Sequence, residues 1–229
     1  MLEDFRQLVI DLVRDDAQKI VATERDRAID LAVQRYSKDR ELPKVQDVTP
    51  TDANTLPLPA GWQLDFSELR SLEYPIGRVP PSYLDQSRYA IYRSPTGLVV
   101  KTIDSVKVAA NTVRASYTIV HSLDSTSDTI PVADREPVCC WAAAILCEQL
   151  AAFYSGNTDS SIQAQVVQSQ TKSQEYATRA KSLRFRYLNE LGIDDKRNVA
   201  AGVAVTMPEL DSRGQPRLTH SAAYRNRPW

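Results

Sequence analysis

The sequence contains few of the residues from which active sites and cofactor sites are usually built. Its 229 residues include 2 histidines and 7 glycines, and no two glycines lie within nine positions of each other. Because a phosphate-binding loop needs closely spaced glycines, this spacing excludes a P-loop and a dinucleotide-binding fingerprint. His121 is followed by Ser122 and Asp124, but neighbours along one loop do not make a catalytic triad, which is defined by geometry. We therefore expect no enzymatic activity and no cofactor.

The three cysteines and the acidic pairs provide no candidate disulfide or metal site. Cys139, Cys140 and Cys147 lie in one apolar run. On a helix the last two would be about 10 Å apart along the axis, which is too far for a disulfide. No histidine lies nearby to complete a zinc site. We expect three reduced core thiols, and we interpret the pairs Asp15–Asp16 and Asp194–Asp195 as solvated rather than metal-binding.

The sequence has no strong charge of one sign and no long hydrophobic run. The formal net charge is −1, which excludes a globally basic nucleic-acid binder but leaves a local basic patch open. The most apolar run, Val138–Leu146, is shorter than a membrane-spanning helix requires. The chain begins with an amphipathic, partly acidic stretch rather than with the pattern of a signal peptide. We therefore expect no membrane association.

What the sequence does contain is helical periodicity. Apolar residues recur at helical spacing from Leu2 to about Tyr36, which predicts a single amphipathic helix roughly 50 Å long. The stretch Val138–Tyr154 is apolar on nearly all sides, so we expect it to be the central buried helix. A third helix is predicted to begin near Asp159 and to end at Gly192.

Between the first two helices the pattern changes to loops and short strands. Four prolines between residues 43 and 61 predict a linker or surface loop. Tyr89–Arg93 and Leu98–Ile103 flank a Ser-Pro-Thr-Gly turn, which predicts a hairpin. Alternation from Val113 to Ile119 predicts a half-buried strand, and the prolines of Glu73–Leu84 predict a structured loop.

The expected fold is therefore mainly α with a small antiparallel β insertion, an α+β class with long antiparallel helices and an extended C-terminal arm. We assign residues 1–42 to the N-terminal long helix and 43–126 to the linker and β-rich insertion. Residues 127–192 supply the two further helices of the helical domain. Residues 193–229 form the arm, whose helix potential is interrupted by prolines and Gly214 and which contains no acidic residue after Asp211.

Two groups of residues are candidates for contacts with partners. A segment without a core of its own frays unless something holds it, so we expect the arm to be ordered by other chains. Its arginines and aromatic residues are types that anchor interfaces. The partner-binding candidates in the arm are Arg213, Arg217, Leu218, His220, Tyr224, Arg225, Arg227 and Trp229. Basic residues on the third helix are candidates to face a channel or a neighbouring subunit: Lys172, Arg179, Lys181, Arg184 and Arg186.

Five segments in this order resemble the head–tail adaptor (connector) proteins of tailed bacteriophages. They are Glu73–Leu84, Ala142–Ala151, Lys172–Ala177, Leu188–Ile193 and Ser212–His220. All of them are packing and loop motifs rather than catalytic signatures. The resemblance implies a helical, structural protein of the virion neck that is assembled in the cytoplasm of the bacterial host. It also implies a twelve-fold ring beneath the portal and an arm that docks on the portal.

The partners implied by the resemblance are the portal protein, neighbouring copies of the chain, a neck or tail protein and genomic DNA in transit. Two alternatives remain open at this point. A tail-side stopper or tail-completion protein of the neck would make its main contact with the tail instead of the portal. A nucleic-acid-binding module would use the basic face of the third helix, although the near-zero net charge argues against it.

Overall fold

A computed structural model describes residues 1–15, 18–95, 97–103, 112–156 and 163–193. For residues 163–170 it describes the backbone alone. Within these residues the helices are α1 (Leu2–Val13), α2 (Ala22–Asp39), α3 (Arg135–Gly156) and α4 (Gln163–Glu190). The strands are β1 (Leu42–Val48), β2 (Thr55–Pro57), β3 (Leu69–Glu73), β4 (Tyr89–Ser94), β5 (Gly97–Thr102) and β6 (Val113–Ile119). The strands lie between α2 and α3 in the chain, so the α+β class is confirmed.

The helical part is built around α3, whose side chains are buried on nearly every side. Helices α1, α2 and α4 all pack against it. Phe5 of α1, Ile29 of α2 and Tyr187 of α4 join the α3 residues in one hydrophobic cluster. Three helices cover the apolar side chains of α3, and the central position expected for it is confirmed.

The segment Val132–Gly156, which contains α3, is among the described residues the one helix long and apolar enough to cross a membrane. Half of its apolar window is buried inside the protein. The core helix of a soluble protein has the same length and composition. Helices α1, α2 and α4 pack against this segment in the described structure.

The expectation of one continuous N-terminal helix is wrong, because the chain breaks into α1 and α2. Arg14 has a left-handed φ of 50° and closes α1 by donating its backbone N–H to the carbonyl of Ile10. The carboxylate of Asp15 then accepts a hydrogen bond from the backbone of Ile20 at 2.9 Å. A straight rod of roughly 50 Å would outrun α3, which has 22 residues and is about 33 Å long. The break allows both apolar stripes to pack on α3.

The strands form two three-stranded antiparallel sheets, in the orders β1-β6-β3 and β2-β5-β4. The expected hairpin is confirmed, since β4 pairs with β5 and places Ser94 opposite Gly97. The half-buried strand is confirmed as β6, in which Val113, Ala115 and Tyr117 are buried. A smaller hydrophobic cluster of six buried residues belongs to these sheets: Val48, Leu56, Leu72, Val100, Val113 and Ala115.

The expected linker at 43–61 is wrong in part, because it contains β1 and β2. β1 is an edge strand that pairs with β6 alone. Pro43 is tolerated because it stands near the start of an edge strand, where a missing N–H donor disturbs the sheet least. The prolines of this segment therefore predicted a loop, but an edge strand that pairs on one side only can contain a proline.

His121 fastens the β-rich part to the helical part. Its backbone N–H donates to the hydroxyl of Ser37 in α2, at 3.0 Å. One ring nitrogen lies 3.0 Å from the carbonyl oxygen of Arg40, and the other lies 3.1 Å from that of Thr129. The imidazole is buried and fully engaged in these contacts. His121 therefore has a structural role in the fold.

The closure expected for the last helix is confirmed at its C-terminal end. Gly192 has φ +66°, and the N–H of Ile193 donates to the carbonyl of Leu188 at 2.8 Å. Glycine adopts this left-handed conformation at lower cost than residues with a Cβ atom, which favours the end of the helix at this position. The expected beginning near Asp159 and the arm beyond Ile193 lie outside the described residues.

Candidate interaction surfaces

The partner-binding candidates of the arm all lie outside the part of the chain that the structure describes. They are Arg213, Arg217, Leu218, His220, Tyr224, Arg225, Arg227 and Trp229. Their assignment remains a prediction. The basic candidates on α4 can be placed, and they fall into two groups.

In the first group, acidic residues of the same chain balance the charge of the arginines. Arg184 donates to Glu148 of α3 at 2.6 Å. Arg186 donates to Glu190 at 2.7 Å on its own helix and also pairs with Glu136 at the start of α3. These ion pairs are partly exposed, so each contributes little to stability, but they reduce the positive potential on this side of α4.

The second group consists of the other three cations. Arg179 donates to the backbone carbonyl of Val13 at 2.8 Å, where it occupies one of the free carbonyls at the end of α1. The ammonium of Lys172 lies 5.4 Å from the centre of the Tyr154 ring. Lys181 is exposed, and among the described residues no carboxylate pairs with it. Of the five candidates, Lys181 is thus the cation best placed to meet another molecule.

The outer face of α4 is a further surface, which we did not identify from the sequence. Ala180, Leu183 and Tyr187 point into the core, and the residues opposite them are exposed. This outer face consists of Thr171, Gln174, Thr178, Ser182, Phe185 and Asn189. It carries no charge, and Phe185, toward its C-terminal end, is 71% exposed. The sequence pattern that indicates this face is a series of uncharged residues spaced by three or four positions, on the side of the helix opposite the apolar stripe.

A pocket of about 450 Å³ opens where α1 ends and α2 begins. Its apolar walls come from α1, from α3 and from the connection between α1 and α2: Val9, Ile10, Val13, Ile20 and Leu146. Asp15, Gln18 and Arg25 complete the lining. Asp15 Oδ1 and Arg25 Nε are buried without a hydrogen-bond partner in the described structure. The pocket therefore combines apolar walls with polar atoms that lack partners.

The hairpin β4–β5 presents a third exposed surface. Ile91 and Tyr92 of edge strand β4 are both exposed, although they point to opposite faces of the sheet. The ammonium of Lys101 lies 4.6 Å from the centre of the Tyr92 ring. The open backbone edge of β4 and its apolar side chains together make this hairpin a third candidate contact region.

Two buried tyrosines hold carboxylates at the centre of the helical part. The hydroxyl of Tyr187 donates to Asp39 at 2.6 Å, and Arg35 donates to the same carboxylate at 2.8 Å. The hydroxyl of Tyr36 donates to Asp134, which precedes α3. Burial, followed by these hydrogen bonds, raises the pKa of both tyrosines. They remain neutral donors at physiological pH and serve to join the helices.

The thiols are equally inert. Cys139, Cys140 and Cys147 are free and buried, as expected. Burial raises the pKa of Cys139 to about 12 and that of the other two to about 11. The thiolate is the reactive form, so these groups do not act as nucleophiles near neutral pH. Within the described residues, no group of three His, Cys, Asp or Glu side chains could hold a metal.

Comparison with known proteins provides no relative from which a function could be transferred. No model of a known protein family matches the chain, and no curated protein matches it. The outer face of α4, the pocket and the exposed hairpin are therefore the observations from which a function is argued.

Proposed function

We propose that the chain is a structural adaptor in the neck of a tailed-phage virion. Copies of it form a ring beneath the portal, join the head to the neck or tail, and continue the channel for genomic DNA. The proposal rests on the resemblance of Glu73–Leu84, Ala142–Ala151 and the α4 motifs to head–tail adaptors. It also rests on the surfaces of the described residues.

The observation that carries the proposal is the outer face of α4. A helix face that is meant only for water is usually charged, whereas the centre of a protein interface is depleted in charge and enriched in aromatic residues. The α4 face carries no charge and exposes one large aromatic side chain, Phe185, toward its C-terminal end, and charged residues such as Glu175 and Arg186 lie along its edge. This arrangement of an uncharged centre and a charged rim is typical of a subunit contact.

The charge distribution also supports a role next to moving DNA. A protein that neutralises many phosphates binds DNA tightly, which would oppose transit through a channel. Here the net charge is −1, and Arg184 and Arg186 are paired with acidic residues of the same subunit. Such a surface allows DNA to pass without gripping it.

Attachment to the portal is assigned to the arm, because its arginines and aromatic residues have the chemistry of interface anchors. The test is co-sedimentation with portal rings of the same phage, comparing the full chain with a chain that lacks residues 214–229. The full chain is expected to sediment with the rings. The truncated chain should remain folded by circular dichroism and stay in the supernatant.

The same assay separates the competing functions. Unchanged binding of the truncated chain would transfer the portal contact to another surface. Binding to tails but not to portals would contradict the adaptor assignment and support a stopper or tail-completion protein. As a matched control, replacing Arg184 by Gln removes a cation outside the arm and should leave sedimentation unchanged.

A further inference from the structure

Four strands lie at the edges of the two sheets, and three of them are protected against pairing with another chain. β1 contains Pro43 and Lys44, and β2 has only three residues and ends at Pro57. The free edge of β3 is covered by residues 82–84. Proline, charge, shortness and a covering segment are the usual means by which proteins keep sheet edges from pairing. Residues 89–92 of β4 contain no proline and no charge, and the register with β5 is unbroken.

The backbone of β4 shows which residues direct their hydrogen-bonding groups to the open edge. Residues of an antiparallel strand bond alternately to the strands on either side. The N–H of Thr102 donates to Asn54 beside β2 at 2.9 Å, and Thr102 lies opposite Tyr89. The N–H and C=O of Tyr89 therefore point away from β5, as do those of Ile91 and Arg93. Among the described residues, none bonds to these groups.

The side chains of β4 also indicate that the sheet is extended at this edge. Ile91 lies opposite Val100, which is buried in the β cluster, so Ile91 belongs to the core face of the sheet. It is nevertheless 42% exposed, because no described strand lies beyond it. An apolar side chain on the core face, beside open backbone donors and acceptors, is the arrangement that an added strand completes.

We infer that β4 pairs with β4 of a second copy, antiparallel and around a two-fold axis, with Ile91 opposite Ile91. The ends of the strand select this register. Pro95 follows β4 and has no N–H to donate, and the turn Gln86–Arg88 precedes it. The register centred on Ile91 pairs all the outward residues, Tyr89 with Arg93 and Ile91 with itself. A shift by two residues leaves one of them without a bonded partner.

The charges and shapes along the strand make a second copy the partner that fits. Arg93 of each copy faces Tyr89 of the other, and a guanidinium beside an aromatic ring is favourable. The two Arg93 side chains are about 14 Å apart along the strands, so their like charges are largely screened. On the other face the small Ala90 lies beside Tyr92 of the second copy, and Lys101 stays 4.6 Å from its own Tyr92 ring. The edge is therefore complementary to itself.

This contact is separate from the ring of the proposed adaptor. A two-fold contact closes after two copies, whereas a ring needs heterologous contacts. One strand pair is also small beside stable interfaces, which bury at least about 1,200 Å². The pair therefore forms in concentrated solution, and the dilute chain keeps its monomer mass of 25.6 kDa.

Disulfide trapping in concentrated solution tests the register. Ala90 lies opposite Tyr92 in a pair without hydrogen bonds, where Cα atoms are about 4.5 Å apart and a disulfide can form. Mixing Ala90→Cys with Tyr92→Cys under mild oxidation is expected to give a heterodimer. Each variant alone should give little dimer, because its two thiols belong to diagonal positions about 7–8 Å apart. The native cysteines are buried and have raised pKa values, so they do not compete.

Substitutions at the centre of the strand connect the trapped species to the inferred pairing. Ile91→Pro removes the N–H that the central pair needs in both copies, and an outward position on an edge strand tolerates proline. It should lower the heterodimer yield about tenfold. Ile91→Lys places two ammonium groups opposite each other and should lower the yield about threefold. Ile91→Val keeps the donor and the apolar contact, so this matched control should leave the yield unchanged. Circular dichroism checks that each variant is folded.

Two results would overturn the inference. One is a heterodimer yield no greater than that of Ala90→Cys mixed with Val132→Cys, an exposed position before α3. The other is a predominance of Ala90→Cys homodimers, which would indicate a different register. A trapped pair from a chain that fails to bind portal rings would contradict the adaptor function alone. Portal binding without a trapped pair would contradict the pairing alone, so the two proposals fail independently.

Discussion

The helical part and the β-rich part of this protein differ in how much buried apolar surface holds them. The helical cluster draws on all four described helices and includes large side chains such as Phe5, Ile29 and Tyr187. The β cluster has six buried residues, all of them aliphatic. Because stability follows buried apolar area, we expect the helical part to determine global unfolding and the sheets to open more easily.

The largest expected effect comes from truncating the helical core. Ile29→Ala removes a side chain that is 1% exposed in the helical cluster, and it should lower the free energy of unfolding by about 4 kcal/mol. Leu72→Ala, at 2% exposed, is the matched change in the β cluster, where fewer neighbours surround the cavity; it should cost about 2 kcal/mol. Urea unfolding measures both values. Hydrogen exchange of the native chain measures the difference in local stability. Equal protection of helical and sheet amides would contradict the expectation that the sheets open more easily than the helices.

The next effect concerns pH and again belongs to the helical part. The pKa of each thiol is raised from 9.0 to about 11 or 12 in the folded chain. Above pH 9 the unfolded chain loses thiol protons that the folded chain keeps, so stability must fall as pH rises. At about pH 10 the loss is roughly 1 kcal/mol per thiol.

Urea unfolding at about pH 8 and about pH 10 checks this dependence. The variant Cys147→Ala should show a shallower decrease than the native chain, since it has one thiol fewer. Thiol labelling of the folded protein should be slow and labelling in urea fast. Fast labelling of any of the three cysteines under native conditions would refute their placement in the core.

A smaller effect is expected from the hydrogen bonds that join the helices. Tyr187→Phe removes the hydroxyl that donates to Asp39, and it should cost about 1–2 kcal/mol because the carboxylate keeps only its bond from Arg35. Thermal unfolding gives the value. Tyr83→Phe is the control, since Tyr83 is exposed and should tolerate the change. An equal loss in both variants would mean that the Tyr187 hydroxyl has no special role.

The smallest effect should come from the exposed ion pairs. Arg184→Gln breaks the pair with Glu148 and removes a cation 5.3 Å from the ring of Trp141. The expected loss of stability is below about 1 kcal/mol. Lys181→Gln, which breaks no ion pair among the described residues, should change stability even less. A loss of several kcal/mol for Arg184→Gln would show that this pair is part of the core.

The sequence predicted the features that depend on local pattern. The apolar character of Val138–Tyr154 was enough to identify a central helix, and the Ser-Pro-Thr-Gly turn was enough to identify the hairpin. The break at Arg14 could not be predicted in the same way, because the apolar stripe continues across it and no proline or glycine marks it. Only the length of α3 makes one straight helix unfavourable. β1 was missed because its pairing partner, β6, is distant in sequence.

The candidate surfaces show the same limit. The basic residues of α4 were identified from sequence, but their ion pairs with Glu148 and Glu136 depend on how α3 and α4 pack. The pocket is formed by segments from α1, α2 and α3, so no local pattern could indicate it. Phe185 is the exception. An aromatic residue opposite a buried stripe could have been recognised as exposed before the structure was known.

Whether copies of this chain assemble at a portal, as proposed, can be decided by measuring the mass of the complex. Native mass spectrometry of the purified chain, alone and after mixing with portal rings, gives the number of copies bound. The adaptor assignment predicts a mass of 25.6 kDa for the chain alone and a portal complex whose added mass corresponds to a full ring of copies. A chain that remains at 25.6 kDa in both samples would contradict the account.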